Sequence, residues 1–444
     1  MINSRNLPNQ SRRLRSIVSL GAWALPIAGV SISSAVAVLL VANGARVAPA
    51  IVAFVILFAV NRDLLLSALL TLVLFDGTLL AFGPVPVGLE EQVLKTIILG
   101  IVLLLLVTKG TDRKGQIISL AIVLASAVPW MGAPFSGAPS VSVSRQLIGL
   151  GMLAIPWLIV GIRMAERSAS LLLASLVALP IVATIAGLVN WLANDQLPWR
   201  YDFGMFFRLQ GTLAPALLGL VAACGVLASA VLILQRRAPI WVIILPLFVA
   251  LLSGSRGSVI FSVLITIGMV VSGTRRRFRY LGVALGFLLL VVSVLAVLEF
   301  TLRADGSMGA AGLTGRVEAW SEFTNVASRR SLFGYGAGAT AGIDTTSGVH
   351  ESFVLPHNEF IHFWLDFGAV GSLVVWLAIG AVLLRFARFL CLEAWKVALL
   401  ILSVCTYAFV DNTFTSLQFL VPFALILAAT FSIGKDPDQV AGVY

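Results

Sequence analysis

Three histidines, His350, His357 and His362, are the only ones in the chain, and they lie within one short segment. An imidazole ring accepts a proton from a hydroxyl group near neutral pH, so a histidine in a polar cavity can act as a general base. His357 follows Pro356 and opens a polar run (HNE), which is typical of the start of a helix. His357 is therefore the strongest candidate for a base. The alternative is that each histidine is a hydrogen-bonded structural residue at an interface.

Arginine side chains indicate a second chemistry, the binding of phosphate groups. The planar guanidinium fork fits phosphate oxygens better than the point charge of a lysine. Arg256 stands in SGSRGS at the junction of two apolar runs, where a charge near the bilayer is costly unless a partner compensates it. The alternative is that such arginines reach lipid phosphates or pair with a loop carboxylate such as Asp202 or Asp305. The loops that the topology below places outside contain these arginines: Arg145, Arg200, Arg208, Arg256, Arg303, Arg316, Arg329 and Arg330.

The sequence lacks the residue patterns that disulfide, metal, serine-nucleophile or dinucleotide chemistry would require. Cys224, Cys391 and Cys405 fall in or beside apolar segments and have no spacing typical of a disulfide framework or a metal site. The outer loops contain no paired carboxylates that would hold a divalent metal, and there is no Ser-His-Asp arrangement with a nucleophile elbow. The FGYGAG segment has neither the sequence of a potassium filter nor the spacing of a dinucleotide loop, and it predicts a tight glycine turn. The sequence thus predicts no metal and no cofactor.

The elements that position these residues must be membrane helices. Hydrophobic residues make up 59% of the 444 residues and charged residues only 11%, whereas soluble domains carry about 25% charged residues. Apolar runs of about 17–25 residues, the length that crosses a bilayer as a helix, recur along the chain. We therefore predict an all-α polytopic membrane protein. The net charge of +10 does not indicate nucleic-acid binding, because the basic residues form short clusters between apolar runs.

Charged and turn-rich breaks separate about fourteen apolar runs, and 12–14 transmembrane helices is the expected range. The first run follows basic residues and has no clear small-residue cleavage site, so we expect a retained helix and not a signal peptide. Several runs are short, and two neighbours could form a broken or re-entrant pair. The runs lie near 17–42, 47–60, 63–82, 93–108, 117–132, 146–162, 170–192, 211–234, 239–253, 257–273, 281–299, 359–384, 396–411 and 417–433.

The distribution of basic residues predicts the orientation of the helices. With the amino terminus in the cytoplasm, every strongly basic short loop falls on the cytoplasmic side, as the positive-inside rule requires, and the carboxyl terminus falls there too. Two longer polar segments, 193–210 and 300–356, then lie outside. We expect transmembrane helices over 1–299 and 357–444, with 300–356 forming one extracytoplasmic lid loop that contains short helices.

Four motifs in order resemble the O-antigen ligase and polymerase superfamily of membrane glycosyltransferases. The first is RLQGTLAP, with Ala216 where an asparagine is common, and the second is SGSRGS. The third is TGRVEAW followed by SLFGYGAG. The fourth is His357-Asn358 with Gly368 and Gly371 at the spacing of the ligase signature. The resemblance covers about residues 200 to 385, and the preceding part matches only as a series of membrane spans.

The resemblance implies a GT-C-type glycosyltransferase fold and a metal-independent, inverting transfer without a cofactor. His357 would deprotonate an acceptor hydroxyl, and the donor would be a glycan linked to undecaprenyl diphosphate in the bacterial inner membrane. The acceptor would be a saccharide or the lipid A-core, and membrane lipids would surround the protein. The residues that the resemblance assigns to diphosphate binding are Arg208, Arg256 and Arg316, and those in supporting positions are Asn358, Glu359, Arg145 and Trp320.

Several functions stay open at the level of the sequence. A ligase would move a finished polysaccharide onto a terminal acceptor, whereas a polymerase would join lipid-linked repeat units, and both use the same donor and chemistry. The His-Asn signature favours the ligase. A transporter or flippase would place ionisable groups near the bilayer midplane and often shows repeated halves, neither of which is visible. A purely structural scaffold would not explain why His357 and the arginines share a face.

Overall fold

A computed structural model describes residues 48–75, 90–111, 113–133, 141–195, 197–202, 206–270, 316–340 and 356–433. Several predicted features lie outside these residues. They are the spans near 17–42 and 281–299, the arginine run at 275–279, Arg303, His350 and both termini.

Helices dominate the described part of the chain, which contains thirteen of them and one two-stranded sheet. The helices are α1 Ala48–Asn61, α2 Leu64–Val73, α3 Glu90–Lys109, α4 Arg113–Met131, α5 Val143–Leu158, α6 Glu166–Asn194, α7 Pro215–Leu234, α8 Ile244–Leu252, α9 Arg256–Ile265, α10 Arg316–Ser328, α11 Glu359–Phe389, α12 Ala394–Val410 and α13 Leu417–Ile433. The strands are β1 Trp199–Asp202 and β2 Phe206–Leu209.

Four segments of the described chain are long and apolar enough to cross a membrane: Val143–Gly161, Glu166–Ala193, Pro215–Leu234 and Glu359–Phe389. Seven shorter apolar helices accompany them. The chain is thus an all-α polytopic membrane protein, as predicted. The expected number of 12–14 spans stays a prediction.

Helix α7 is the centre of the bundle. It is apolar all round, as expected for a helix with no face toward water, and α6, α8, α9 and α13 pack against it. Small residues permit the close approach of its neighbours. A Cβ added to Gly225 would lie 3.0 Å from a side-chain carbon of Pro246 on α8. This packing brings the ends of α8 and α9 next to the start of α7.

Helix α11 is broken, so the single span predicted near 359–384 consists of two arms. Gly368 adopts φ +66° and ψ −179°, a conformation that is essentially restricted to glycine. Phe360 and Trp376 stack with ring centroids 4.4 Å apart, whereas sixteen residues of straight helix would separate them by about 24 Å. The short arm (Glu359–Phe367) therefore folds back beside the long arm (Ala369–Phe389).

Loop contacts define two ends of the bundle. At the basic end, Lys109 pairs with Asp63, and Arg237 pairs with Glu166. These contacts join loops that the charge pattern predicts on one side of the membrane. At the opposite end, which we call the site end, the hydroxyl of Thr212 donates to the carbonyl of Leu74 at 2.7 Å.

The outer segment 193–210, predicted as a polar loop, contains an antiparallel hairpin. In its register, Arg200 lies directly opposite Arg208 and Trp199 opposite Leu209. Gly211 follows the hairpin with φ +59°, and a Cβ on it would lie 2.7 Å from the carbonyl oxygen of Ala183 on α6. Only glycine fits this close approach, so the RLQGT segment is fixed against the end of α6.

Candidate functional site

His357 lies at the site end, immediately before the short arm of α11. Its backbone is left-handed, with φ +47°, which is uncommon for a residue other than glycine. Asn358 is the N-cap of α11, and its side-chain oxygen accepts from the backbone N–H groups of Phe360 at 3.0 Å and Ile361 at 3.2 Å. The helix start predicted from the HNE run is therefore present. The cap and the backbone turn fix the direction in which His357 leaves the helix.

Asp411 is the nearest described carboxylate partner of His357. Its Oδ1 lies 3.4 Å from His357 Nδ1, and it also accepts from the backbone N–H of Asn412 at 2.9 Å. Asp411 is buried at the end of α12, while the side chain of His357 is 34% exposed. A carboxylate beside Nδ1 orients the ring and leaves Nε2 for another partner. This arrangement suits a histidine that exchanges a proton at Nε2.

Sequence analysis did not identify Asp411. One signal was present, because the DNT segment places a carboxylate between two apolar runs on the predicted outer face. The same criterion singled out Arg256. Asp411 lies more than fifty positions from His357, however, and only the packing of α12 beside α11 brings them together.

Glu359 connects the His357 segment with the turn that carries Asp411. Its Oε1 accepts from the backbone N–H of Thr415 at 2.8 Å and from the Thr415 hydroxyl at 2.9 Å. Glu359 is fully buried, so its carboxylate needs these hydrogen bonds to offset desolvation. The bonds fix the spacing between the two segments that hold the His357–Asp411 pair.

Trp320 on α10 contacts both sides of the same site. Its indole N–H donates to the carbonyl of Pro356 at 2.6 Å, directly before His357. Its ring lies edge-to-face against Phe409 of α12, with centroids 5.3 Å apart. Helix α10 therefore holds the peptide preceding the histidine, and the supporting position predicted for Trp320 is beside the candidate base.

Arg208 is held beside the link between α8 and α9. Its Nε donates to the carbonyl of Ser253 at 2.9 Å. Gly254 has φ +62°, and a Cβ there would lie 3.1 Å from Arg208 Nε, so the turn makes room for the guanidinium group. Arg208 is half-buried, and Arg200 lies opposite it in the hairpin. The hairpin register therefore places two guanidinium-bearing residues side by side.

Arg256 is the first residue of α9, and its position links the arginines to the histidine. The next residue, Gly257, lies against α12, since a Cβ on it would be 2.6 Å from the Tyr407 ring and 2.8 Å from Val410. Val410 immediately precedes Asp411. Tight packing of α9 on α12 therefore brings the Arg256 end of α9 next to the His357–Asp411 pair, and the Ser253–Ser255 turn brings Arg208 to the same place.

The candidate site is recessed below the rim of the bundle. A Cβ on Gly219 would lie 2.6 Å from the Ser255 Cβ. Gly219 is four residues beyond the start of α7 at Pro215, so the start of α9 lies about 6 Å along the bundle from the start of α7. In addition, α9 and α11 both begin at this site, and helix N-termini favour anions.

The remaining candidates have different positions. Arg145 is exposed near the start of α5, and its carbonyl lies beside Gly338. Arg316 begins α10, and its side chain lies outside the described residues. His362 is buried on the short arm of α11. Gly334, Gly336 and Gly338 all have positive φ, which confirms the predicted glycine turn.

Within the described ranges, no group of three or more His, Cys, Asp or Glu side chains is arranged to hold a metal ion.

Comparison with known proteins identifies one family. Residues 241–377 match the family model described as O-antigen ligase. This match supports the O-antigen ligase and polymerase superfamily and confirms the resemblance predicted from the motifs. The matched region contains Arg256, Trp320 and His357, whereas Arg208 and Asp411 lie outside it. No curated protein matches the chain.

The family match supports a function of the O-antigen ligase or polymerase type. It indicates a glycosyltransferase-like membrane enzyme with a lipid-linked glycan and an acceptor as substrates. It also agrees with a role in the biosynthesis of O-antigen or another polysaccharide.

Proposed function

We propose that this chain is an O-antigen ligase-like glycosyltransferase. It moves a glycan from undecaprenyl diphosphate to a hydroxyl group of the lipid A-core or a similar saccharide acceptor. The observation that carries this proposal is the His357–Asp411 pair beside the start of α9, where Arg256 stands. A base and a cation at one recess are the two groups that displacement of a diphosphate requires.

In the proposed reaction, His357 Nε2 takes the proton of the acceptor hydroxyl as its oxygen attacks the anomeric carbon of the donor sugar. The bond between that carbon and the diphosphate oxygen breaks, and its electron pair stays on the diphosphate. Attack from the face opposite the leaving group inverts the configuration. Asp411, 3.4 Å from Nδ1, stabilises the imidazolium that forms. General bases typically contribute about 10²–10⁴-fold to such steps.

Arg208 and Arg256 bind the diphosphate and stabilise its growing charge, with Arg316 as the third arginine. The hydrogen bond from Arg208 Nε to Ser253 fixes the plane of that guanidinium before substrate arrives. Preorganised cations of this kind lower the barrier because they need no rearrangement as the charge develops. Their position at the N-terminus of α9 adds the favourable end of the helix dipole. No metal or cofactor takes part in this mechanism.

The backbone of His357 supports its assignment as the base. A left-handed conformation of a non-glycine residue costs of the order of 1–3 kcal/mol and persists only where the surroundings impose it. Here Asn358, Glu359 and Trp320 all bond to neighbouring structure and impose that conformation. Such strain is typical of catalytic residues.

The positive-inside rule sets the proposed orientation in the membrane. The basic end faces the cytoplasm, both termini are cytoplasmic, and the site end faces the periplasm of a bacterial inner membrane. The segment 300–356 acts as a lid over the site, and its described part is residues 316–340, which include α10, together with Pro356.

The test uses the full-length protein in liposomes with an undecaprenyl-diphosphate-linked glycan and a panel of acceptors. We expect release of undecaprenyl diphosphate that depends on the acceptor and is lost in His357→Ala. Asn325→Ala, at an exposed polar residue of α10, is the matched control and keeps full activity. Normal transfer by a well-inserted His357→Ala variant would overturn the role of the base.

The acceptor that supports turnover distinguishes the two members of the superfamily. Transfer to lipid A-core establishes the ligase, whereas growth of lipid-linked chains without another acceptor establishes the polymerase. Binding of the lipid-linked glycan without turnover on any acceptor would contradict both and favour a flippase.

A further inference from the structure

A row of buried polar residues runs along the short arm of α11 and begins at Glu359 of the site described above. Glu359, His362 and Asp366 follow one another at helical spacing along one face, and all three are buried. The His362 ring lies between the two carboxylates, with Nε2 3.6 Å from Asp366 Oδ2 and Nδ1 4.0 Å from Glu359 Oε2. Glu359 bonds to the turn that carries Asp411. Asp366 contacts a different segment from Glu359, and the proposed function does not use Asp366.

Asp366 binds the segment that we call the glycine loop, residues 329–340. One carboxylate oxygen accepts from the backbone N–H of Gly338 at 2.8 Å. The other accepts from the backbone N–H of Thr340 at 3.0 Å and from its hydroxyl at 2.8 Å. A fully buried carboxylate is costly unless hydrogen bonds offset its desolvation. Three donors from one loop meet this requirement, so the carboxylate and the loop hold each other in place.

Backbone hydrogen bonds at the break in α11 also attach the glycine loop to this helix. Groups at the break lose their helical partners, and the glycine loop supplies new ones. The carbonyls of the arm accept and the N–H groups beyond Gly368 donate in four hydrogen bonds: Tyr335 N to Leu365 O at 2.8 Å, Gly336 N to Asp366 O at 2.9 Å, Ala369 N to Ser331 O at 2.8 Å and Val370 N to Leu332 O at 3.3 Å.

The glycine loop continues directly from α10, so its attachment fixes α10 as well. The Tyr335 hydroxyl donates to the carbonyl of Val326 on α10 at 2.9 Å. Phe323 of α10 and Leu365 of the short arm belong to one small apolar cluster. At the other end of α10, Trp320 donates to the carbonyl that precedes His357. A path of direct contacts therefore runs from Asp366 through the loop and α10 to the candidate base.

We propose that Asp366 is a positioning residue for the transfer reaction, acting through the glycine loop and α10 on His357. This inference rests on the proposed function, because it assigns Asp366 an effect on the same base. His362 lies between Asp366 and Glu359, with its two ring nitrogens facing their carboxylates. The short arm thus carries two carboxylate anchors, one for the glycine loop and one for the turn that holds Asp411.

The proposal predicts a loss of turnover without a loss of donor binding. In Asp366→Asn the amide oxygen is needed by the two donors of Thr340. The amide nitrogen must then face the backbone N–H of Gly338. The hydrogen bond to Gly338 is therefore lost, and two donors oppose each other. Misplacement of catalytic groups by about 1 Å costs about 100-fold in rate. We expect kcat to fall about 10- to 100-fold. The donor KM changes less than about threefold, because Arg208 and Arg256 lie on other elements.

Thr340 provides a matched pair of variants that preserves the buried carboxylate. Thr340→Val keeps the shape but removes the hydroxyl donor to Asp366, and we expect kcat to fall about tenfold. Thr340→Ser keeps the hydroxyl and restores kcat to within about twofold of the unmodified protein. Ser119→Ala removes a buried hydrogen bond to Ala154 between α4 and α5 and controls for stability alone. If Asp366→Asn does not fold, the Thr340 pair decides the question.

A distance measurement separates positioning from general weakening. Nitroxide labels are attached at Asn325 on α10 and Leu373 on the long arm, which are both exposed. Double electron–electron resonance then measures the distance distribution between the two labels and so reports the position of α10. Cys391 and Cys405 are first replaced by serine, while Cys224 is buried and stays. We expect a broader distance distribution in Asp366→Asn and Thr340→Val, and an unchanged one in Thr340→Ser and Ser119→Ala.

The outcomes distinguish this inference from the proposed function. Unchanged kcat in both Asp366→Asn and Thr340→Val, in a protein that His357→Ala inactivates, overturns the positioning role alone. A fall in kcat with an unchanged distance distribution also overturns it, because Asp366 would then act by another route. Full turnover in His357→Ala overturns the proposed function and this inference together.

Discussion

Replacing Asp411 by asparagine removes the negative charge beside His357 and keeps the volume of the side chain. The amide oxygen of asparagine can still accept from the backbone N–H of Asn412, which the carboxylate binds at 2.9 Å. The turn after α12 therefore keeps its local hydrogen bond. The same oxygen position faces His357 Nδ1, so the change isolates the effect of the negative charge of Asp411 on the histidine.

The size of the effect follows from the geometry. At the 3.4 Å between His357 Nδ1 and Asp411 Oδ1, a unit charge pair attracts by about 1 kcal/mol in bulk water and about 5 kcal/mol at an effective dielectric constant of about 20. The side chain of His357 is 34% exposed and that of Asp411 is 10% exposed, so an intermediate value applies. About 2.7 kcal/mol in the transition state corresponds to about a 100-fold lower rate.

The assay is single-turnover release of undecaprenyl diphosphate from the lipid-linked glycan in liposomes. Asp195→Asn is the matched control, because Asp195 is exposed and left-handed, a conformation that asparagine tolerates. We expect about a 100-fold loss in Asp411→Asn and no further loss when it is combined with His357→Ala. A loss smaller than about threefold, or a double variant slower than His357→Ala alone, would refute the coupling of the two residues.

Three further perturbations test other parts of the account. Arg256→Lys keeps the charge but loses the planar fork, and we expect transfer to fall at least about tenfold; wild-type kinetics would show that a point charge suffices. Chelation with EDTA leaves the transfer rate unchanged, and inhibition that added Mg²⁺ reverses would contradict the metal-independent mechanism. Gly368→Ala places a Cβ about 2.2 Å from the carbonyl oxygen of Leu332 at φ +66°. The substitution should cost more than about 1 kcal/mol and lower the thermal unfolding temperature in detergent by about 1 °C for each kcal/mol. An unchanged temperature would show that the break tolerates a side chain.

Most helices of the described part were predictable because apolar runs separated by basic loops determine where helices lie. The HNE run predicted the start of α11, and the glycine spacing predicted the turn at 334–338. The break at Gly368 was not predicted as such, since the apolar run continues through it. The backbone of Gly368 and the stacking of Phe360 on Trp376 show in the structure that the two arms fold together. The hairpin at 199–209 was also missed, because its strands have only four residues each and so give no alternating pattern that distinguishes them from a loop.

The candidate site was also predictable in part from local sequence patterns. His357, Arg208 and Arg256 could be identified from their residue types at apolar junctions and from motif order. Asp411 and Asp366 could not, because a carboxylate in a membrane protein has no sequence signal that identifies its partner. Their roles depend on contacts between helices far apart in the chain.

The sequence by itself determined that this is a helical membrane protein, that basic loops segregate from the candidate site residues, and that its motifs resemble O-antigen ligases. These properties follow from local composition and spacing, which act along the chain. The tertiary structure decided which carboxylate faces His357, how deep the arginines lie and what holds α10 against the base. Those features depend on close packing at residues such as Gly257 and Gly368, where one added carbon would push a neighbouring helix or loop away. Packing of this kind acts between distant segments, and no local pattern encodes which segments will meet.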